Sequence, residues 1–205
     1  MPAAADAEKP SYLGLLNAIS LAETDAGHYL TAWANATDDE ELATTLRLVA
    51  AREASHGDLF CRRLCELGYD LRQKPDPKAA ARLARYANPR IPDCEKVGPE
   101  RAEPGDTFAE IRANISAGAY DAMTCNMLQW YVAEEDDSGR RLREAYAKVR
   151  AKAGMTSASP KPNGHAAPAP EGASADAEAI MACMTAGFAR LEKSIAKLAK
   201  ARASA

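Results

Sequence analysis

The chain is predicted to be all-helical, and three observations carry that expectation. Apolar residues recur at steps of three and four over long stretches, the period of one helix face. Alanine, the strongest helix former, is abundant while aromatic residues make up only 6%. Few segments alternate polar and apolar residues, so half-buried strands have little to build on. A length of 205 residues fits one domain with some appended sequence.

Each element can be placed in order. Residues 1–10 form a polar tail, and Pro10 and Ser11 open a first helix that ends near residue 35. Its stripe is Tyr12, Leu16, Ile19, Glu23, Ala26, Leu30 and Trp33. Thr37, Asp38 and Asp39 make a short turn and cap a second helix, which runs to a stop at Leu67-Gly68. That helix carries Leu42, Leu46, Val49, Glu53, His56, Phe60, Leu64 and Leu67 on one stripe, and the tight connection makes the pair an antiparallel hairpin. Prolines exclude a continuous helix over residues 70–105, which reads as a long crossover holding a short helix at residues 78–86. A third helix is expected over residues 106–135, with Phe108, Ile111, Ile115, Gly118, Ala122 and Ala133 facing inward and polar Asn126 and Gln129 among them. Asp136-Asp137-Ser138-Gly139 suits a turn, and a fourth helix covers residues 140–152 before Gly154. The bundle then spans residues 11–154, followed by a flexible Pro/Ala/Ser-rich linker at residues 155–175 and an amphipathic helix within residues 176–205.

Composition excludes several classes of function. A formal net charge of −3 argues against a nucleic-acid binder. The start of the chain lacks the apolar core of a signal peptide, and no run is long enough to cross a bilayer, so a cytoplasmic protein is expected. The five cysteines are odd in number, and Cys61 and Cys65 lie one helical turn apart, poorly placed for an unstrained disulfide. They read as reduced thiols. His28 lies well round the first helix from Glu23 and reads as a surface residue, whereas Tyr29, Trp33, Trp130 and Tyr131 read as core or interface area.

The informative residues are those that break the apolar stripes. Glu23, Glu53 and His56 take positions that periodicity assigns to the core. A buried carboxylate is costly unless it is paired, protonated or bound to a metal. Two of them with an imidazole in an E-x-x-H step look like one half of a carboxylate-bridged metal site in a helix bundle. Carboxylate oxygens and imidazole suit iron, manganese or zinc.

The two halves share a pattern in which a tryptophan, paired aspartates and a new helix follow one another, after Trp33 and again after Trp130. The layout suggests two hairpins related by a pseudo-twofold axis.

These features resemble the ferritin-like superfamily, in particular its rubrerythrin-like members. The resemblance rests on Glu23 within AETDAGHYL and on Glu53 and His56 within REASHGDLF. It implies a ferritin-like antiparallel four-helix bundle that binds iron and oxidises it, reduces peroxide or activates oxygen. The chain departs from the family pattern in its second half. Ala153 and Thr156 occupy the positions matching Glu53 and His56, Asp121 is the one carboxylate near the match to Glu23, and Glu134 and Glu135 read as solvated residues of a helix end. Glu23, Glu53 and His56 are therefore the expected metal ligands, with Asp121 as an additional candidate. The resemblance implies an iron-dependent oxidoreductase centre, which two protomers would complete across a twofold interface. The alternative is a non-catalytic ferritin-like scaffold. In that reading the terminal helix mediates assembly or partner docking through Met181, Met184, Phe188, Leu191, Ile195 and Leu198, spaced as coiled-coil a and d positions. A homo-oligomer, with a protein partner bound by residues 176–205, is expected.

Overall fold

The structure, a computed structural model, describes residues 9–99 and 106–155. These residues form α1 (Leu13–Ala36), α2 (Glu40–Glu66), α3 (Ala79–Ala87), α4 (Asp93–Val97), α5 (Ala109–Ser116) and α6 (Ala122–Lys152), and no strand occurs among them. The fold is all-α, as expected. The linker at residues 155–175 falls outside the described residues from position 156 onward, as do the terminal helix and most of the N-terminal tail.

Local chemistry sets the hairpin. The Asp39 side chain accepts from the backbone N–H groups of Glu41 and Leu42 at 3.1 and 3.2 Å, capping α2. Glu40 and Glu41 in its first turn favour the positive end of the helix dipole. Gly68, at φ +81°, takes the left-handed conformation that ends α2. Small residues then let α1 and α2 approach closely. A Cβ added to Gly57 would lie 2.4 Å from Thr24 Oγ1, 3.0 Å from the Thr24 amide nitrogen and 3.2 Å from the Ser20 carbonyl oxygen. Ser20 Oγ donates to the Gly57 carbonyl at 2.8 Å across the same crossing. A Cβ at Gly27 would meet the Ala54 nitrogen at 3.1 Å. The two glycines bracket Glu23 and Glu53, so this crossing brings the two carboxylates together. Gly57→Ala is expected to destabilise the chain by about 1–3 kcal/mol through overpacking, offset by about 1 kcal/mol of helix propensity. A lowered denaturation midpoint in urea checks it.

The second half departs from the expected two-hairpin layout. The helix expected over residues 106–135 is broken: α5 ends at Ser116, Gly118 turns at φ +67°, and the Asp121 side chain caps α6 by accepting from the Met123 and Thr124 amides. The expected turn at Asp136–Gly139 lies inside α6, which runs unbroken for 31 residues, about 46 Å at 1.5 Å per residue. Helix survives there because Asp137 bonds to Arg140 and Arg141 one turn on and to Arg52 of α2, while Ser138 is buried. No second hairpin forms among the described residues, and the pseudo-twofold repeat falls with it. Ala153 follows the end of α6 and is exposed, and Thr156 lies outside the described residues.

The break also resets the helical phase. Phe108 and Ile111 are buried as expected, but Gly118, Ala122, Asn126, Gln129 and Ala133 are exposed. The inward face of α6 is instead Thr124, Leu128, Tyr131, Val132, Glu135, Ser138, Ala145 and Val149.

Helix α6 runs antiparallel to α2. Its start meets the end of α2 through Arg63 and Asp121 at 2.8 Å, and its end meets the start of α2 through Lys148 with Glu41 and Lys152 with Asp39. Surface pairs of this kind add little stability but fix register. Helix α3 lies against α1, and α4 and α5 lie against α6. Trp33 Nε1 donates to Asp93 at 2.7 Å and ties α4 to α1. Two apolar clusters result. One holds Leu16, Ile19, Phe60, Leu64, Leu128 and Tyr131, and the other Leu30, Trp33, Leu46, Val49, Tyr86 and Val149. Glu23, Glu53, His56 and Glu135 lie between them on the three long helices.

Candidate metal centre

Glu23 of α1, Glu53 and His56 of α2, and Glu135 of α6 converge between the two apolar clusters. Each offers a donor atom, and these atoms all lie within 4.8 Å of one another. Their exposures of 5%, 3%, 0% and 4% remove them from water. The three residues expected from sequence therefore meet, and a fourth joins them from the same chain. Glu135 was expected to be solvated. It is buried because α6 continues through residues 136–139 and keeps residue 135 on the inward stripe.

Asp121 does not join the cluster. It caps α6, accepts from Tyr12 Oη at 2.5 Å and Thr124 Oγ1 at 2.6 Å, and pairs with Arg63. Burial would raise its pKa, but the hydrogen bonds from Thr124, Tyr12 and Arg63 outweigh that and hold it below the usual carboxylate range. His28 is exposed, as expected. Cys61, Cys65, Cys94 and Cys125 are free thiols.

The immediate surroundings order the cluster. Tyr131, fully buried, donates its hydroxyl to Glu23 Oε1 at 2.7 Å. Its ring meets His56, Phe60 and Phe108 edge-on. His56 Nε2 lies 3.0 Å from Glu134 Oε2, and His56 Nδ1 lies 3.3 Å from Glu135 Oε1 without hydrogen-bond geometry. Consecutive carboxylates of α6 thus face the two nitrogens of one ring. Three donor atoms here, Glu53 Oε2, His56 Nδ1 and Glu135 Oε1, are buried with no hydrogen-bond partner. Buried polar atoms without a partner demand an explanation, and donor groups of this chemistry gathered in one place fit a cation.

Electrostatics point the same way. Burial, then the charges of Glu23 and Glu135, push the Glu53 pKa well above the ordinary carboxylate value, against the pull of Arg52. Glu135 is pushed up to about 7, by burial first, with His56 pulling the other way. For His56, burial disfavours the charged ring, but the Glu135 and Glu134 carboxylates outweigh it and raise its pKa. Burial and the charges of Glu23 and Glu135 keep Tyr131 protonated far above its ordinary range. With every carboxylate ionised and His56 protonated, the four groups carry two surplus negative charges, and with His56 neutral, as a ligating imidazole must be, they carry three. Protons can cancel the charge, and so can a divalent cation together with one proton.

Donor chemistry fits a metal. In the tautomer with the proton on Nε2, His56 donates to Glu134 and leaves the Nδ1 lone pair on the Glu135 side. A carboxylate behind a ligating imidazole orients the ring and raises its basicity. On α6, Glu135 and Ser138 repeat the i, i+3 step of Glu53 and His56 with serine in place of histidine. Ser138 accepts from Arg52 Nη1 at 3.2 Å, which makes the cluster lopsided, with imidazole on the α2 side alone. No family model matches the chain, and neither the curated proteins nor the solved structures contain a match.

Proposed function

We propose that the chain binds a divalent metal through Glu23, Glu53, His56 and Glu135, and that it handles iron or reactive oxygen in the manner of ferritin-like proteins. The observation that carries the first part is the set of partnerless buried donors, Glu53 Oε2, His56 Nδ1 and Glu135 Oε1, within one four-residue cluster. The second part rests on the resemblance of the Glu23, Glu53 and His56 arrangement to that superfamily. A bound iron would supply one-electron chemistry toward oxygen or peroxide. The protein's share is to exclude water with Phe60, Val49 and Tyr131, and to hold His56 by its bond to Glu134. Tyr131 orients the Glu23 carboxylate by donating a hydrogen bond to it.

Because Glu135 comes from the same chain, one protomer supplies four ligand groups, and completion across a homodimer is not needed. Metal content should then be independent of oligomeric state. Iron, manganese and zinc should be measured by elemental analysis after anaerobic loading of the full-length chain and of Glu53→Ala. The expected result is metal near stoichiometric in the native chain and lost in the variant. Equal, near-zero metal in both ends the proposal. A non-catalytic scaffold that keeps its cluster neutral with protons would then be the better reading, since Glu53 and Glu135 both hold protons more tightly than ordinary carboxylates.

A further inference from the structure

This inference rests on the metal reading above and concerns how a cation reaches a cluster that is itself shut off from water. On one side Tyr131, bonded to Glu23 and edge-on to His56, and Phe60 behind it are fully buried. The seam between α2 and α6 is different, because the α6 residues that touch His56 there are themselves partly exposed. Glu134 touches His56 Nε2 at 3.0 Å while its side chain is 25% exposed. Trp130 meets the His56 ring edge-on at a centroid distance of 5.1 Å and is 43% exposed. Arg52 lies over the same seam, with Nε 3.6 Å from Glu134 and Nη1 2.9 Å from Asp137.

We propose that Glu134 is the receiving carboxylate through which a divalent cation passes from solvent to the cluster, and that the Arg52 guanidinium is the counter-charge the cation displaces. Neighbouring helix residues point about 100° apart, so Glu134 faces the seam while Glu135 faces the cluster, and the His56 ring spans the two. A cation on Glu134 is therefore one imidazole away from Glu135. Arg52 can yield, because its contact with Glu134 is the longer one and it keeps Asp137 and Ser138 when it leaves. A partly exposed carboxylate over a low-dielectric, carboxylate-lined pocket concentrates cations at that point.

The test uses the metal-free full-length chain and Co(II) alone, mixed anaerobically. Ligand-field absorbance reports coordination and quenching of Trp130 reports arrival. Glu134→Gln keeps a carbonyl oxygen that accepts from His56 Nε2 but removes the charge. Its uptake rate should fall on the order of tenfold and lose much of its salt dependence. Glu144→Gln, the same charge loss at an exposed position of α6, should leave the rate as it is. Arg52→Gln removes the counter-charge and should speed uptake, and it carries the test if Glu134→Gln does not fold. Uptake by Glu134→Gln at the native rate, an equal slowing by Glu144→Gln, or an unchanged or slower rate in Arg52→Gln overturns this route while the metal reading stands. Absence of Co(II) binding by the native chain overturns both.

Discussion

Metal-free protein is expected to be more stable at pH 5 than at pH 8, by on the order of 3 kcal/mol. Glu135 holds its proton to about pH 7 in the fold and only to its ordinary value of 4.5 when unfolded. The folded state therefore binds more protons between these values. Its contribution is fully present below pH 4.5 and is lost as pH rises through about 7. Glu53, raised well above 4.5, has the same sign, and so does His56, whose raised pKa makes the folded state the better proton binder. Asp121 and Asp137 have depressed pKa values, so their contributions are present above the ordinary value of 3.8 and fade only in acid, outside this window. Metal should reverse the trend. Ligands must shed their protons to bind, so affinity rises with pH and the bound ion stabilises the fold most where the empty cluster is weakest. Urea denaturation at the two pH values, with chelator and with saturating Mn(II), checks both halves. A metal-free chain equally stable at pH 5 and pH 8 would contradict the electrostatic description of the cluster.

The second large effect is expected from Glu53→Leu, which should stabilise the metal-free chain at pH 8 by about 1–4 kcal/mol while abolishing metal binding. Glu53 is 3% exposed, leaves Oε2 without a partner and lies among two other carboxylates. Leucine of similar size removes that cost and joins Val49 and Phe60 in the core. A gain in stability combined with loss of metal marks a group kept for binding and not for folding. If the variant is instead less stable at pH 8, Glu53 holds the fold together and its role as a ligand loses support.

The α1–α2 hairpin and three of the four cluster residues were legible in the sequence because both helices are long and uninterrupted. On such stripes a charged residue at a core position stands out, as Glu23, Glu53 and His56 do. Glu135 was not legible because Asp136-Asp137-Ser138-Gly139 has the local chemistry of a turn. Only α2 reveals otherwise: its Arg52 reaches Asp137 and Ser138, and that long-range pairing helps hold the segment helical. A signal was nevertheless present. Leu128, Tyr131, Glu135, Ser138, Leu142, Ala145 and Val149 keep steps of three and four straight across the apparent turn. Read that way, the stripe carries its own acidic residue at a core position, as the first two helices do. The break before α6 was hidden for the opposite reason. Gly118 passes as a helix residue by periodicity, and its left-handed conformation together with the Asp121 cap appears only in the fold.

Anomalous diffraction from crystals of the full-length chain loaded with Mn(II) tests the central claim most directly. A strong peak is expected between α1, α2 and α6, within about 2.0–2.3 Å of His56 Nδ1 and of carboxylate oxygens of Glu23, Glu53 and Glu135. His56 Nε2 should remain bonded to Glu134. Manganese found only at surface carboxylates, with Glu53 and Glu135 sharing a proton in the core, would contradict it.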